Sequence, residues 1–371
     1  SGAIYDSGDY EACLDEALEL ARYDDRRAEA ESARSEGRLV GVGLACIVEP
    51  SISNMGYVTL AETAEERAAG LPKSGNAEGC TIAISPLGGI TVRLPTTPQG
   101  QGHKTVAAQI VADHLGVAPH EIEVLTASDT STSPWTVASG NYSSRFSGVG
   151  AGAIGLAADK LVAKIAAIRE HLGDESLSLR RVAGTAHWNP EALPPGLEPG
   201  LQATAYYAAP NLHPPDDEDH VASSAAHGFV ADVAVVEVDR DTGHVQVLDY
   251  VTVHDAGRLL NPSIAEGQVR GGLAHGVGAA LYEHVAHDEQ GNLQTASFMD
   301  YLCPTAADLP TPRIGHRETP SPFTPLGAKG LGEGTTMSAP AAIANAVADA
   351  IGRDDVELPL TPPRVWEVLT R

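Results

Sequence analysis

The stretch from Thr324 to Ile351, TPLGAKGLGEGTTMSAPAAIANAVADAI, limits the folds open to this chain more than any other. Its first part is a loop with Gly327, Gly330, Gly332 and Gly334 around one carboxylate, Glu333, and its second part is Ala-rich with apolar residues at helical spacing. This pattern predicts a loop feeding a helix N-terminus. The glycines permit positive φ and close approach of another molecule, Ser338 suits a cap, and Pro340 suits the first helical turn. Free amides at such an end attract anions. Glu333 therefore has two readings, a group held beside a ligand or a group that merely satisfies the helix start. On the loop alone, capping is the commoner.

At 371 residues the chain is too long for one core and should form two subdomains. A net charge of −25 leaves no basic patch for nucleic acid or an acidic membrane surface. Only Lys73, Lys104, Lys160, Lys164 and Lys329 are lysines, so acidic side chains dominate the solvated face. That balance fits either adaptation to high salt or an ordinary acidic protein. Cys13, Cys46, Cys80 and Cys303 are scattered without a C-x-x-C pair, which argues against a zinc ribbon or a secreted disulfide framework and for a reduced, cytoplasmic setting. No apolar run approaches the ~20 residues of a membrane span, and no signal segment opens the chain. The first methionine is Met55, so the chain is expected to be a portion of something longer.

Along the chain, Tyr10 to Glu36 reads as an amphipathic surface helix, Leu39 to Val48 as a buried strand, and Glu62 to Gly79 as loop, with sheet beginning at Cys80. Thr81–Ile84 and Ile90–Leu94 form an expected hairpin across a Pro-Gly turn. PQGQGH at 98–103 stands before a helix that turns Val106, Ile110 and Val111 inward. Glu121 to Leu125 reads as a strand, and SGNYSSR at 139–145 precedes a helix from Val149 to Leu172. Pro190 to Pro215 is Pro-rich and ends in the acidic loop Asp216–Asp219, which reads as solvated. A second hairpin, Phe229–Val238 with Val245–Val253, leads to a helix that starts at Asn261-Pro262 and is bare at Gly267, Gly271, Gly272, Gly276 and Gly278. Strand pairs followed by Gly-rich helix starts give an α+β chain with mixed sheets.

Taken in order, PQGQGH, SSRFSG, HDAGRLLNPSIAEGQ and PLGAKGLGEG resemble the large subunit of molybdenum hydroxylases, the xanthine oxidase and aerobic carbon monoxide dehydrogenase family. The resemblance runs from Tyr5 to about Trp366 and covers the C-terminal half of that subunit. It implies helix N-termini facing a molybdenum pyranopterin, in its cytosine dinucleotide form, held by two subdomains. These would be 73–215 and 216–371, after a lead-in of helix, strand and loop over 1–72. Gly100, Gln101 and His103 would line the pterin, Ser143, Ser144 and Arg145 would meet its phosphate-bearing part, and Asp255, Asn261 and Gln268 would hold the opposite side. Lys329, Gly330 and Gly332 would complete the binding loop. Glu333 aligns with the family's general base, which takes a proton as the substrate carbon is hydroxylated. The metal would touch the cofactor's sulfurs, so no protein ligand to it is expected.

The resemblance also implies what other chains must supply. Two [2Fe–2S] clusters need about eight cysteines, against four scattered here. An iron–sulfur subunit, a flavin subunit carrying FAD, and the N-terminal half of the large subunit are thus the expected partners. The substrate would be an aldehyde, an N-heterocycle or carbon monoxide. Two rivals compete. A subtilisin-like hydrolase is suggested by Gly334–Pro340, although Thr336 stands in the nucleophile's place, and a non-catalytic scaffold would need none of the site chemistry.

Overall fold

The structure is a computed structural model that describes residues 4–70, 75–127, 129–137 and 139–371. The expected boundary at 72/73 and Lys73 lie outside the described residues. In chain order the elements are α1 (Tyr10–Ala21), α2 (Tyr23–Ser35), β1 (Leu39–Ser53), α3 (Ala64–Ala69), β2 (Ala77–Ile84), β3 (Ile90–Arg93), α4 (His103–Leu115), β4 (Ile122–Leu125) and α5 (Ala151–Leu172). They continue with α6 (Leu179–Trp188), β5 (Leu201–Ala208), β6 (Ser224–Val238), β7 (Val245–Asp255), α7 (Pro262–Leu281), β8 (Arg313–Arg317), α8 (Gly334–Ile351) and α9 (Pro362–Thr370). Two mixed sheets result, in line with the α+β expectation.

The chain divides into two compact units, each drawn from three stretches. The first comprises 1–7, 50–226 and 320–330, and the second 8–49, 227–319 and 331–371. The first unit holds the sheet β4-β3-β2-β5. β2 and β3 pair antiparallel across the turn at Pro86–Gly89, whereas β3 and β4 run parallel because α4 carries the chain back between them. β5 pairs antiparallel with β2 over eight residues, so the Pro-rich stretch after Pro190 contains a strand that its prolines hide. In the second unit the sheet order is β1-β6-β7-β8. β6 and β7 form the expected hairpin, and β8 joins β7 in parallel after α7. The main core of this unit lies where Val236, Val238, Leu273, Val277, Ile343 and Val347 come together.

Local chemistry shifts several expected boundaries. The first helix breaks at Arg22, whose left-handed φ of 53° ends α1 and begins α2. Part of the expected loop at 62–79 is helical, because Thr63 and Glu66 form a reciprocal capping box, and the strand begins at Ala77 rather than Cys80. β1 runs on to Ser53. The helix α8 starts at Gly334, so neither Ser338 nor Pro340 stands at its beginning. Ser338 instead donates to the buried carboxylate of Asp232, and Pro340 sits inside the helix.

Candidate active site

In the first unit, two segments that the sequence singles out are tied together by a third that it does not. Ser51 Oγ accepts the Gly330 N–H at 3.0 Å, and the Ser53 N–H donates to Ser143 Oγ at 3.3 Å. The Ser53 carbonyl also takes a hydrogen bond from Arg145. Between the two serines Ile52 is fully buried at φ 58°, a conformation that costs a β-branched residue of order 1–3 kcal/mol. Ser143 and Ser144 are likewise left-handed, at φ 50° and 49°. Asn141 reaches the Thr97 carbonyl at 2.9 Å and so joins the PQGQGH loop to this group.

The candidates in this unit divide by what their side chains already do. Gln101, Ser143 and Ser144 are half-buried and Gly100 is exposed, with open space where a side chain at Gly100 would stand. Arg145 is fully buried, and its guanidinium donates to the Ser53 and Ala77 carbonyls and lies 3.9 Å from Glu78. It acts from beneath the loop. His103 is buried, stacks on Phe146 with ring centroids 4.0 Å apart, and is held neutral by burial, which lowers its pKa to about 4. Lys329 is buried with its Nζ on the Ser7 carbonyl at 2.7 Å.

In the second unit Glu333 opens α8 and is exposed, and its side chain makes no capping bond. Gly332 beside it is exposed as well. The start of α8 is instead served by Glu49, buried at the far end of the apolar run in β1, whose Oε1 accepts the Glu333 N–H at 3.1 Å. Two residues on, Thr335 meets His254 Nε2 at 3.2 Å, and that ring nitrogen also contacts Thr252 Oγ1 at 2.8 Å. Burial lowers the His254 pKa to about 3, so the imidazole is neutral. Asp255 is buried and closes the turn after β7 by accepting the Gly257 N–H and both the N–H and the hydroxyl of Thr319. Asn261 caps α7 by accepting the Ile264 N–H at 3.0 Å, and Gln268 is half-buried one turn further along.

The sequence missed Ser51, Ser53 and Glu49. Their one visible signal is a break in character, since an apolar strand ends abruptly in Glu-Pro-Ser-Ile-Ser. In the first unit Gln101, Ser143 and Ser144 offer amides and hydroxyls, a set of side chains that fits an acceptor-rich organic group.

The molybdopterin cofactor-binding domain family matches residues 16–310. The chain is 34% identical to the carbon monoxide dehydrogenase large chain of Hydrogenophaga pseudoflava, over 99% of this chain and 46% of that one. It is 32% identical to the nicotine 6-hydroxylase large subunit of Paenarthrobacter nicotinovorans, over 98% and 44%. Its fold superposes on a solved Cu,Mo-CO dehydrogenase, in the carbon monoxide reduced state, with a TM-score of 0.82 and 30% identity over 99% of this chain and 46% of that one. The chain thus spans about half the length of the relatives it matches. Neither the hydrolase nor the scaffold reading has support in these matches. The chain belongs to the molybdopterin cofactor-binding domain family, as part of a molybdenum hydroxylase large subunit.

Proposed function

We propose that this chain is the cofactor-binding, base-carrying portion of an enzyme that hydroxylates an aldehyde, an N-heterocycle or carbon monoxide with oxygen drawn from water. In this reading it binds a molybdenum pyranopterin, as the cytosine dinucleotide, in the cytoplasm. It works beside the N-terminal half of the large subunit, an iron–sulfur subunit and a flavin subunit with FAD. The four unpaired cysteines are in keeping with a reduced compartment. Among the described residues no helix is long and apolar enough to cross a membrane.

The observation that carries the reading is the unused carboxylate of Glu333. Its backbone begins α8 under the hold of Glu49, while its side chain is exposed and takes no part in capping. A helix-start glutamate that only capped would be bonded to its own helix. When bound, the molybdenum pyranopterin supplies the two-electron redox chemistry and the site at which water-derived oxygen is delivered. The chain's residues do the rest. Gln101, Ser143 and Ser144 of the first unit orient the cofactor by hydrogen bonds, with Gly100 and Gly330 giving it room. Arg145, Lys329 and His103 hold the segments that carry them. Glu333 Oε accepts the proton of the attacking oxygen, and a carboxylate can do so only if its base form is free and aimed.

The test is Glu333→Gln in the enzyme assembled with its partner chains. Turnover of carbon monoxide, benzaldehyde or nicotine, followed with a redox dye, should fall about 10² to 10⁴-fold while molybdenum content holds. Full cofactor with near-normal turnover would return Glu333 to a structural role.

A further inference from the structure

Glu49 is a carboxylate with 2% exposure at the end of an apolar strand, and the bonds it makes are to backbone amides. Those amides belong to Glu333 and Gly334, two of the donors that every α-helix leaves without an internal partner. A carboxylate at this end also meets the positive pole of the helix. Gly334 permits the approach. A Cβ on Gly334 would lie 2.9 Å from Glu49 Oε2 and 2.6 Å from Val230 Cγ2, so no side chain fits there.

We propose that Glu49 is a positioning residue for Glu333: reaching from β1, it caps α8 in Glu333's stead, fixes the backbone of residues 333 and 334, and leaves the Glu333 carboxylate free for proton transfer. The inference rests on the assignment of Glu333 as the base. Its structural part stands apart from that assignment, because a cap can be detected without any turnover.

The one charge that acts on Glu49 is the Glu333 carboxylate at the start of α8, and the apolar Val230 of β6 and the neutral His254 imidazole of β7 lie around Gly334 beside it. Burial pushes the Glu49 carboxyl up to about 7, the two amides draw it back, and the Glu333 charge adds to the rise. Above this value the ionised carboxylate can serve both amides. Below it the bound proton occupies one oxygen, and one amide loses its acceptor. Glu49→Gln imitates the protonated form at every pH.

Hydrogen exchange and steady-state kinetics of the assembled enzyme test this. In Glu49→Gln the peptide containing the Glu333 and Gly334 amides should exchange about 2- to 30-fold faster, the span expected for loss of a helix cap. In Glu333→Gln, whose side chain does not cap, that exchange should stay as in the wild type. With carbon monoxide, benzaldehyde or nicotine as the assayed substrate, Glu49→Gln should lower kcat on the order of 10- to 100-fold with KM and molybdenum content little changed. The limb of the kcat profile that rises near pH 7 should disappear. Should Glu49→Gln fail to assemble, Gly334→Ala displaces the same carboxylate with its charge intact, and the same faster exchange is expected. Wild-type exchange at these amides in the assembled variant overturns the proposal. If Glu333→Gln keeps full turnover while Glu49→Gln still exchanges faster, the cap stands and the base assignment alone is lost.

Discussion

Asp232 shows how much chemistry lies out of sight beneath the start of α8. It is fully buried on β6, one oxygen gathers hydroxyl bonds from Ser338 and Tyr250, and the other has no partner. Burial pushes its carboxyl up to about 6, with the hydroxyls of Ser338, Thr252 and Tyr250 opposing the rise. A carboxyl raised on folding holds its proton more tightly in the native state. Its contribution is therefore complete below the ordinary value of 3.8 and is lost as pH climbs through about 6. Asp232→Asn removes that loss. The stability of the variant relative to wild type should improve by a few kcal/mol between pH 4 and 7, because holding a carboxyl one pH unit above its ordinary value is worth about 1.4 kcal/mol. Urea unfolding at several pH values measures it, and the relative quantity is needed because buried His103 and His254 contribute slopes of opposite sign. A difference flat across this window would show that Asp232 titrates normally. At this scale the sequence marked Glu333 within its motif but not Glu49, which lies 284 residues away along the chain. No local pattern records a bond of that length.

Helices α7 and α8 pack by exchanging glycine for alanine at their contact. A Cβ on Gly276 would lie 2.5 Å from the Ala339 Cβ, whereas one on Gly267 would meet nothing within 4 Å. Two glycines on one helix therefore predict opposite outcomes. Gly276→Ala should destabilise by about 1 to 3 kcal/mol, because two close-packed helices must separate. Gly267→Ala should stabilise by roughly 0.5 to 1 kcal/mol through helix propensity. Thermal melts of the two variants check this, and a change of the same sign in both would remove the packing explanation. The bare face of α7 was legible in its glycine spacing. Which glycines faced α8 and which faced open space was not, since both kinds look alike until a neighbour is placed. The start of α8 moved for a related reason. Ser338 and Pro340 obey local rules for a helix beginning, yet Asp232 draws Ser338 inward and Glu49 caps a turn earlier.

At the scale of the whole chain, the net charge of −25 is a self-repulsion spread over the surface, and salt screens it over about 10 Å at 0.1 M. The melting temperature should rise between low and molar salt, and a flat or falling trend would remove the high-salt reading of its composition. Hydrophobic period, turn residues and glycine spacing were enough to determine an α+β chain, its two hairpins, the long helices after His103, Val149 and Asn261, and the place of Glu333 in a glycine loop. Those features depend on neighbours a few residues apart, where backbone sterics and alternation act directly. The two units, each assembled from three separate stretches, are another matter, as are the strand hidden among prolines at 201–208 and the shared hold of Ser51 and Ser53 on two loops. So is the use of Glu49 rather than Glu333 as the cap. Each depends on which distant segments the folded chain brings within hydrogen-bond reach, and a carboxylate's role is set by the donors it meets there, so only the tertiary structure could decide it.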